Sequence, residues 1–206
     1  LLEEYKDQLQ QRPHEWDARW WSPIINAEHL AMRDRVAMVD LTAFALFDVE
    51  GPGVVDYIEK MAVNKMDVAV GRGVYTPIHN AHGGLKSDPT ILRLAENKYR
   101  IVTGGSDGGR DKKWFMDNLP KDGSVTFTDK TSAICTVGLW GPHARDVLQS
   151  VTADDVSNEA FPYGTVKNLT INGIPASAFR ISYVGEMGWE ISTSMEHGLK
   201  LWDTLW

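Results

Sequence analysis

The chain's 206 residues are 43% hydrophobic and 24% charged, a balance that supports one large or two small globular domains without disulfide staples. A formal net charge of −7 with no extended basic run argues against a nucleic-acid partner, because backbone binding relies on Lys and Arg releasing counterions. The single cysteine, Cys135, excludes an intrachain disulfide and a cysteine zinc site, and no apolar run approaches the ~20 residues of a membrane helix.

The opening Leu1-Leu-Glu-Glu-Tyr-Lys is not a signal peptide, which points to the cytosol, or to the mitochondrial matrix in a eukaryote. Up to about Trp21 the chain is expected to form a helix and then an arm packed on the body, with Trp16, Trp20 and Trp21 filling core or interface. Leu30, Ala31, Val36 and Ala37 recur at near-helical spacing and predict an amphipathic helix over Ala27 to Met38. A strand follows from Leu41 to Glu50. Gly51-Pro52 then closes that strand and opens a helix through Val54, Val55, Ile58 and Met61.

Val74 to Ile78 and Thr90 to Leu94 are rich in β-formers, with Asn80, Gly83 and Gly84 between them, so this stretch predicts a β-hairpin with a long polar connection. A strand from Tyr99 to Thr103 leads into Gly104-Gly-Ser-Asp-Gly-Gly109. That loop lacks the Lys-Ser/Thr and the glycine spacing of nucleotide-binding loops, and is expected to start a helix over Arg110 to Asn118. Strands are expected over Ser124 to Thr128 and Ser132 to Leu139, then a helix after Gly141-Pro142. Asn172-Gly173, between Leu169 and Ala176, carries the signature of a type I′ hairpin. A strand to Tyr183, a loop Val184-Gly-Glu-Met-Gly188, a strand Trp189 to Thr193 and a terminal apolar helix complete the series. The chain starts without Met and stops on that helical pattern with no stop signal, as a piece of a longer protein would.

The segment Leu139-Trp-Gly-Pro-His-Ala-Arg-Asp-Val-Leu148 repeats the grammar of Val49-Glu-Gly-Pro-Gly-Val-Val-Asp-Tyr-Ile58. One strand, turn and helix unit thus occurs twice, and the element order predicts an α+β fold of two similar, mostly antiparallel subdomains. The regular βαβ alternation of a dinucleotide-binding sheet is absent.

Two loops carry candidate chemistry. Asp88, followed by Pro89 at the entry to a strand, is a carboxylate of fixed direction, as a catalytic acid or base must be; a plain turn acceptor has the same signature. Glu186, bracketed by Gly185 and Gly188, suits a ligand with two adjacent N–H donors, such as a pterin or guanine edge. The other reading of Glu186 is a turn residue facing solvent or paired with Arg180. Tyr75, Phe179, Tyr183 and Trp189 surround the two loops and can stack a flat heterocycle or serve as core. His79 and His82 form an H-x-x-H with no third ligand at suitable spacing, so no metal is assigned. There is no G-x-S-x-G elbow for a serine triad.

Asp48-Val-Glu-Gly-Pro-Gly, Val74-Tyr-Thr-Pro with Asn80, Gly83-Gly84-Leu-Lys-Ser-Asp88, Leu139-Trp-Gly-Pro, Ser182-Tyr-Val-Gly-Glu186-Met-Gly-Trp-Glu and Leu201-Trp-Asp, in that order, resemble the folate-binding region of the glycine-cleavage T-protein (aminomethyltransferase) family. Within it, the form fused behind the flavin domain of dimethylglycine and sarcosine dehydrogenases is most similar. The resemblance implies tetrahydrofolate in a cavity between two interleaved subdomains, residues 1–46 plus 129–206 and an inserted 47–128, with the family's C-terminal barrel absent. It implies a catalytic Asp88, a pterin-binding Glu186, and Tyr75, Tyr183, Phe179 and Asn80 lining the folate site. Ser87 stands where relatives often have a second Asp, and Phe179 where they often have Tyr. The implied donor is a small amine or a donor-carrying protein, with any flavin on another segment or chain. A folate-dependent O- or S-demethylase and a non-catalytic folate-binding module are the alternatives.

Overall fold

A computed structural model describes residues 1–9, 11, 14 and 20–206. In chain order the elements are α1 (Leu2–Tyr5), α2 (Pro23–Asp34), β1 (Ala37–Asp40), β2 (Ala45–Glu50), α3 (Val54–Met61), β3 (Gly73–Tyr75), β4 (Ile78–His79) and β5 (Leu85–Ser87). They continue with β6 (Thr90–Ala95), β7 (Lys98–Thr103), α4 (Gly108–Asp117), β8 (Thr126–Asp129), β9 (Ile134–Trp140) and α5 (Ala144–Ser150). Last come β10 (Val166–Ile171), β11 (Ile174–Phe179), β12 (Gly188–Ser194) and α6 (Gly198–Leu205). All strand pairs are antiparallel. One five-stranded sheet runs β1-β9-β12-β11-β10 and a second runs β3-β6-β7-β2-β8, with β4-β5 as a separate ribbon.

Strand alternation decides what each face buries. In the first sheet Leu139 lies opposite Trp189 and Val137 opposite Ile191. These four pack under Ala144 and Leu148 of α5 and Leu201 and Leu205 of α6. In the second sheet Phe47, Val49, Tyr99 and Ile101 pack with Val54 and Ile58 of α3 and Phe115 of α4. Each such side chain contributes roughly 1.5–3 kcal/mol by leaving water. The opposite faces meet each other: Leu92, Leu94 and Val102 of the second sheet close on Val166 and Phe179 of the first. The layers therefore run helix, sheet, sheet, helix.

The doubled strand, turn and helix unit is a structural repeat. Gly51 and Gly141 adopt φ of 135° and 136°, the left-handed side that glycine reaches at little cost. In each copy the residue two positions on donates its N–H to a carbonyl of a neighbouring segment, Gly53 to Ser124 and His143 to Arg35. A Cβ on either glycine would lie 2.3 Å from that same carbonyl oxygen.

The helix expected over Ala27 to Met38 sits earlier in the sequence. Ser22 caps it, its Oγ accepting the Ile25 N–H, and Pro23 takes the first turn, where its missing N–H costs nothing. Ala37 to Asp40 instead pair with β9, so tertiary pairing overrides helical spacing there. Trp16 lies outside the described residues. Trp20 is 69% exposed, and it is Tyr5 of α1 that is buried against Ala27 and Ala31. The hairpin from Val74 to Leu94 is two ladders, β3 with β6 and β4 with β5, interrupted where Pro77 and Pro89 lack N–H donors. The Asn172-Gly173 turn has φ of 45° and 79°, as a type I′ turn requires. The glycine loop before α4 lets backbones approach: a Cβ on Gly105 would reach the Ala43 carbonyl at 2.1 Å.

Candidate functional site

Tyr75 ends β3, the edge strand of the second sheet, and Asp88 lies between β5 and β6. The Tyr75 hydroxyl donates to Asp88 Oδ2 at 2.7 Å. That bond, with the carboxylate charge beside it, holds the phenol above its ordinary pKa, so Tyr75 keeps its proton and its donor role. Both side chains are exposed. Oδ1 of Asp88 has no partner among the described residues.

Three constraints aim Asp88. Its neighbour Pro89 restricts the backbone, and the Pro89 carbonyl accepts the Thr76 N–H at 3.1 Å. Its other neighbour, Ser87, is buried and donates its hydroxyl to Asp111 Oδ2 at 2.5 Å. Asp111, on the first turn of α4 and 2% exposed, also accepts from the Thr103 hydroxyl at 2.5 Å.

Tyr183 follows β11 of the first sheet and is 82% exposed, and its hydroxyl adds the smallest of the electrostatic pushes on the Tyr75 phenol. Three residues on, Glu186 is half-buried, with Gly185 at φ 82° turning the backbone before it. Its Oε1 pairs with Arg33 Nη1 of α2 at 2.9 Å, and the same Nη1 donates to the Val184 carbonyl at 3.4 Å. Arg180, the partner considered from the sequence, is engaged elsewhere, with the Phe161 carbonyl and Asn158 Oδ1. A carboxylate has about four acceptor positions, so Arg33 orients Glu186 by Oε1 and leaves acceptor capacity on Oε2. One residue before Tyr183, the enclosed Ser182 Oγ has no hydrogen-bond partner among the described residues, leaving polar capacity unmet beside the loop.

The structure thus joins Tyr75 to Asp88, and Tyr183 and Glu186 share the loop between β11 and β12. Phe179 and Asn80 it places differently. Phe179 is 4% exposed and packs against Gly73 of β3 in the seam between the sheets; a Cβ on Gly73 would sit 2.4 Å from its ring. Asn80 Oδ1 accepts from the N–H groups of His82 and Gly84, the work of a turn residue. His79 and His82 are both exposed on that hairpin. Trp189 is core, beneath Phe161.

Sequence reasoning missed Arg33, Asp111 and Glu190. Asp111 left one signal: it stands four residues before the buried Phe115, hence on the inward face of α4. Arg33 meets its partner from 153 positions away, and no local pattern announces that. Glu190 alternates with Trp189 and Ile191 and so faces the second sheet, where burial pushes its carboxyl up to about 7. It lines an enclosed void of about 20 Å³ with Arg100, Thr136, Ser177 and Ser192, room for one water at most. Arg100, in the same lining, is committed to Asp48 through a two-pronged pair at 2.7 and 3.0 Å. Elsewhere between the sheets an open groove of about 730 Å³ is lined by Lys98, Lys130, Asn168 and Ser194 among others, and by none of the candidate site residues. No helix among the described residues is long and apolar enough to cross a membrane.

Comparison with known proteins agrees with this architecture. The profile of the GCVT N-terminal domain family matches residues 5–206. The chain is 31% identical over 186 residues to 4-methylaminobutanoate oxidase (formaldehyde-forming) of Paenarthrobacter nicotinovorans, covering 90% of the chain and 22% of that protein. It is 28% identical to human mitochondrial dimethylglycine dehydrogenase, over 95% of the chain and 22% of the relative. With the aminomethyltransferase of Symbiobacterium thermophilum it shares 29% identity, over 90% of the chain and 52% of the relative. The chain therefore spans between about a fifth and a half of the relatives it matches. Among solved structures, the glycine cleavage system aminomethyltransferase T of Bartonella henselae superposes with a TM-score of 0.76 at 22% identity, over 87% of this chain and 47% of the other. The matched profile covers nearly the whole sequence, and the chain belongs to the GCVT N-terminal domain family.

Proposed function

We propose that this chain binds tetrahydrofolate and takes part in transferring a one-carbon unit to it from an amine donor. One observation carries the reading: the Tyr75 hydroxyl fixes Asp88 by a hydrogen bond, while a glycine-turned loop of the first sheet presents Tyr183 and a Glu186 oriented by Arg33. The residues present fit a reduced pterin. Tyr75 and Tyr183 offer exposed aromatic faces to a flat ring, and the open Oε2 of Glu186 accepts from adjacent ring N–H groups. When bound, tetrahydrofolate supplies the nucleophilic amine that receives the carbon.

The protein's own part is positioning and proton transfer. Tyr75 holds Asp88 Oδ2, leaving Oδ1 to take the proton of the attacking amine as a general base. Arg33 holds Glu186 by one oxygen, which fixes the recognising edge before the ligand arrives. We assign Phe179 and Asn80 supporting roles, the first closing the seam behind Tyr75 and the second shaping the hairpin before Asp88. The donor class is a small secondary or tertiary amine or a donor-carrying protein. Kinship with an oxidase and a dehydrogenase supports placing any flavin-dependent oxidation of that donor on another segment or subunit.

The test is tetrahydrofolate binding by titration calorimetry. Glu186→Gln removes the charge that the ring N–H donors meet, and affinity should fall about 10- to 100-fold, the worth of a hydrogen bond to a charged group. Unchanged affinity would remove Glu186 from the site.

A further inference from the structure

We infer that Asp111 and Ser87 form a buried positioning relay that sets the direction of Asp88, tying the functional carboxylate to helix α4 and strand β7. The inference rests on the proposed role of Asp88 as the base. It adds two residues that never meet the substrate.

The argument begins with Asp111. A carboxylate that is 2% exposed requires charge-assisted donors, because an unsatisfied buried charge is costly. Asp111 finds two short ones on a single oxygen, Ser87 Oγ and Thr103 Oγ1, each at 2.5 Å. Its other oxygen meets Arg110 Nε at 3.4 Å, and its place in the first turn of α4 adds the favourable end of the helix dipole. Ser87 and Thr103 are themselves buried, and their hydroxyls lie 3.4 Å apart, so three side chains from β5, β7 and α4 lock one another.

Ser87 is also the residue joined to Asp88. With Ser87 pinned inward and Pro89 buried on the other side, the intervening peptides have little freedom, and the Asp88 side chain is left to project outward to Tyr75. A loop carboxylate needs such support, since reactivity depends on placement within a fraction of an ångström.

The prediction is a double-mutant cycle in the intact protein, with folate-dependent turnover and tetrahydrofolate affinity measured together. Ser87→Ala cuts the relay, and kcat should fall about tenfold to a hundredfold, as misplacement of a catalytic group by ~1 Å does, while folate affinity stays within about twofold. In an Asp88→Asn background the same Ser87→Ala change should cost nothing further, because Ser87 acts only through Asp88. Asp111→Asn keeps the shape, weakens the bond to Ser87, and should give the same kcat loss in milder form; it serves as the second variant where Ser87→Ala folds poorly. An unchanged kcat in both variants overturns the relay. So does a loss repeated in full in the Asp88→Asn background, or matched by an equal loss of folate affinity, because each marks general damage to the structure. Asp88→Asn turning over like the parent is a separate result: it removes the base assignment itself.

Discussion

Asp88 and Glu186 hold their carboxylates in the same way, one oxygen engaged by a side chain of the protein and the other open among the described residues. The features that aim them are local and readable in the sequence: Pro89 after the first, Gly185 and Gly188 around the second. Their partners were not. Arg33 and Asp111 come from other elements, and their pairing depends on how helices dock on sheets. Glu190 is the clearest case of a property conferred by tertiary structure, since alternation gave it a side of β12 but only the facing sheet buries that side. Its folded pKa, about 7, is raised above that of an unfolded Glu. The native state therefore binds the proton more tightly than the unfolded chain, so this contribution to stability is fully present below pH ~4.5 and lost as pH rises through about 7. Glu190→Gln should stabilise the protein at pH 8, by at most about 3 kcal/mol since some solvent still reaches the carboxyl, and the gain should vanish toward pH 4. Denaturant melts of both proteins across that range check it; a difference independent of pH would contradict the assignment.

At the scale of elements, the two Gly-Pro turns decide how each helix folds back over its sheet. Gly51 and Gly141 combine left-handed backbone with a carbonyl 2.3 Å from where a Cβ would be. Alanine at either position should destabilise by about 2 kcal/mol or more, strain and overlap together. Gly123 is the control: its φ is 76° but nothing lies within 4 Å, so Gly123→Ala should cost only about 1–2 kcal/mol. Equal losses at the three positions in urea melts would show that close approach is not the deciding feature. These turns were readable in the sequence because glycine and proline punctuate it. Helix α2 begins four residues before the expected start, at the Ser22 cap and Pro23, and stops at Asp34, because the pairing of Ala37 to Asp40 with β9 claims Ala37 for a strand although it continues the helical spacing. Side-chain periodicity cannot register a hydrogen-bond partner almost a hundred residues away.

Across the whole molecule, two copies of one sheet-and-helix unit meet through the faces their helices leave open. One part of the seam is sealed by Phe179 lying on Gly73, and another opens into the groove beside Lys98 and Lys130. Tyr75 belongs to an edge strand of the second sheet and Tyr183 to the loop after β11 of the first, so the proposed site draws on both units. Fold and family were legible because six short motifs keep their order over most of the chain. The donor was not, since residues that choose among amines leave no such pattern here. The central claim is that Asp88 performs proton transfer for a folate-dependent reaction, and folate-dependent product formation by the intact protein with Asp88→Asn tests it most directly. The account predicts that kcat falls about a hundredfold or more, the contribution of a general base, while tetrahydrofolate still binds; turnover equal to that of the parent would contradict it.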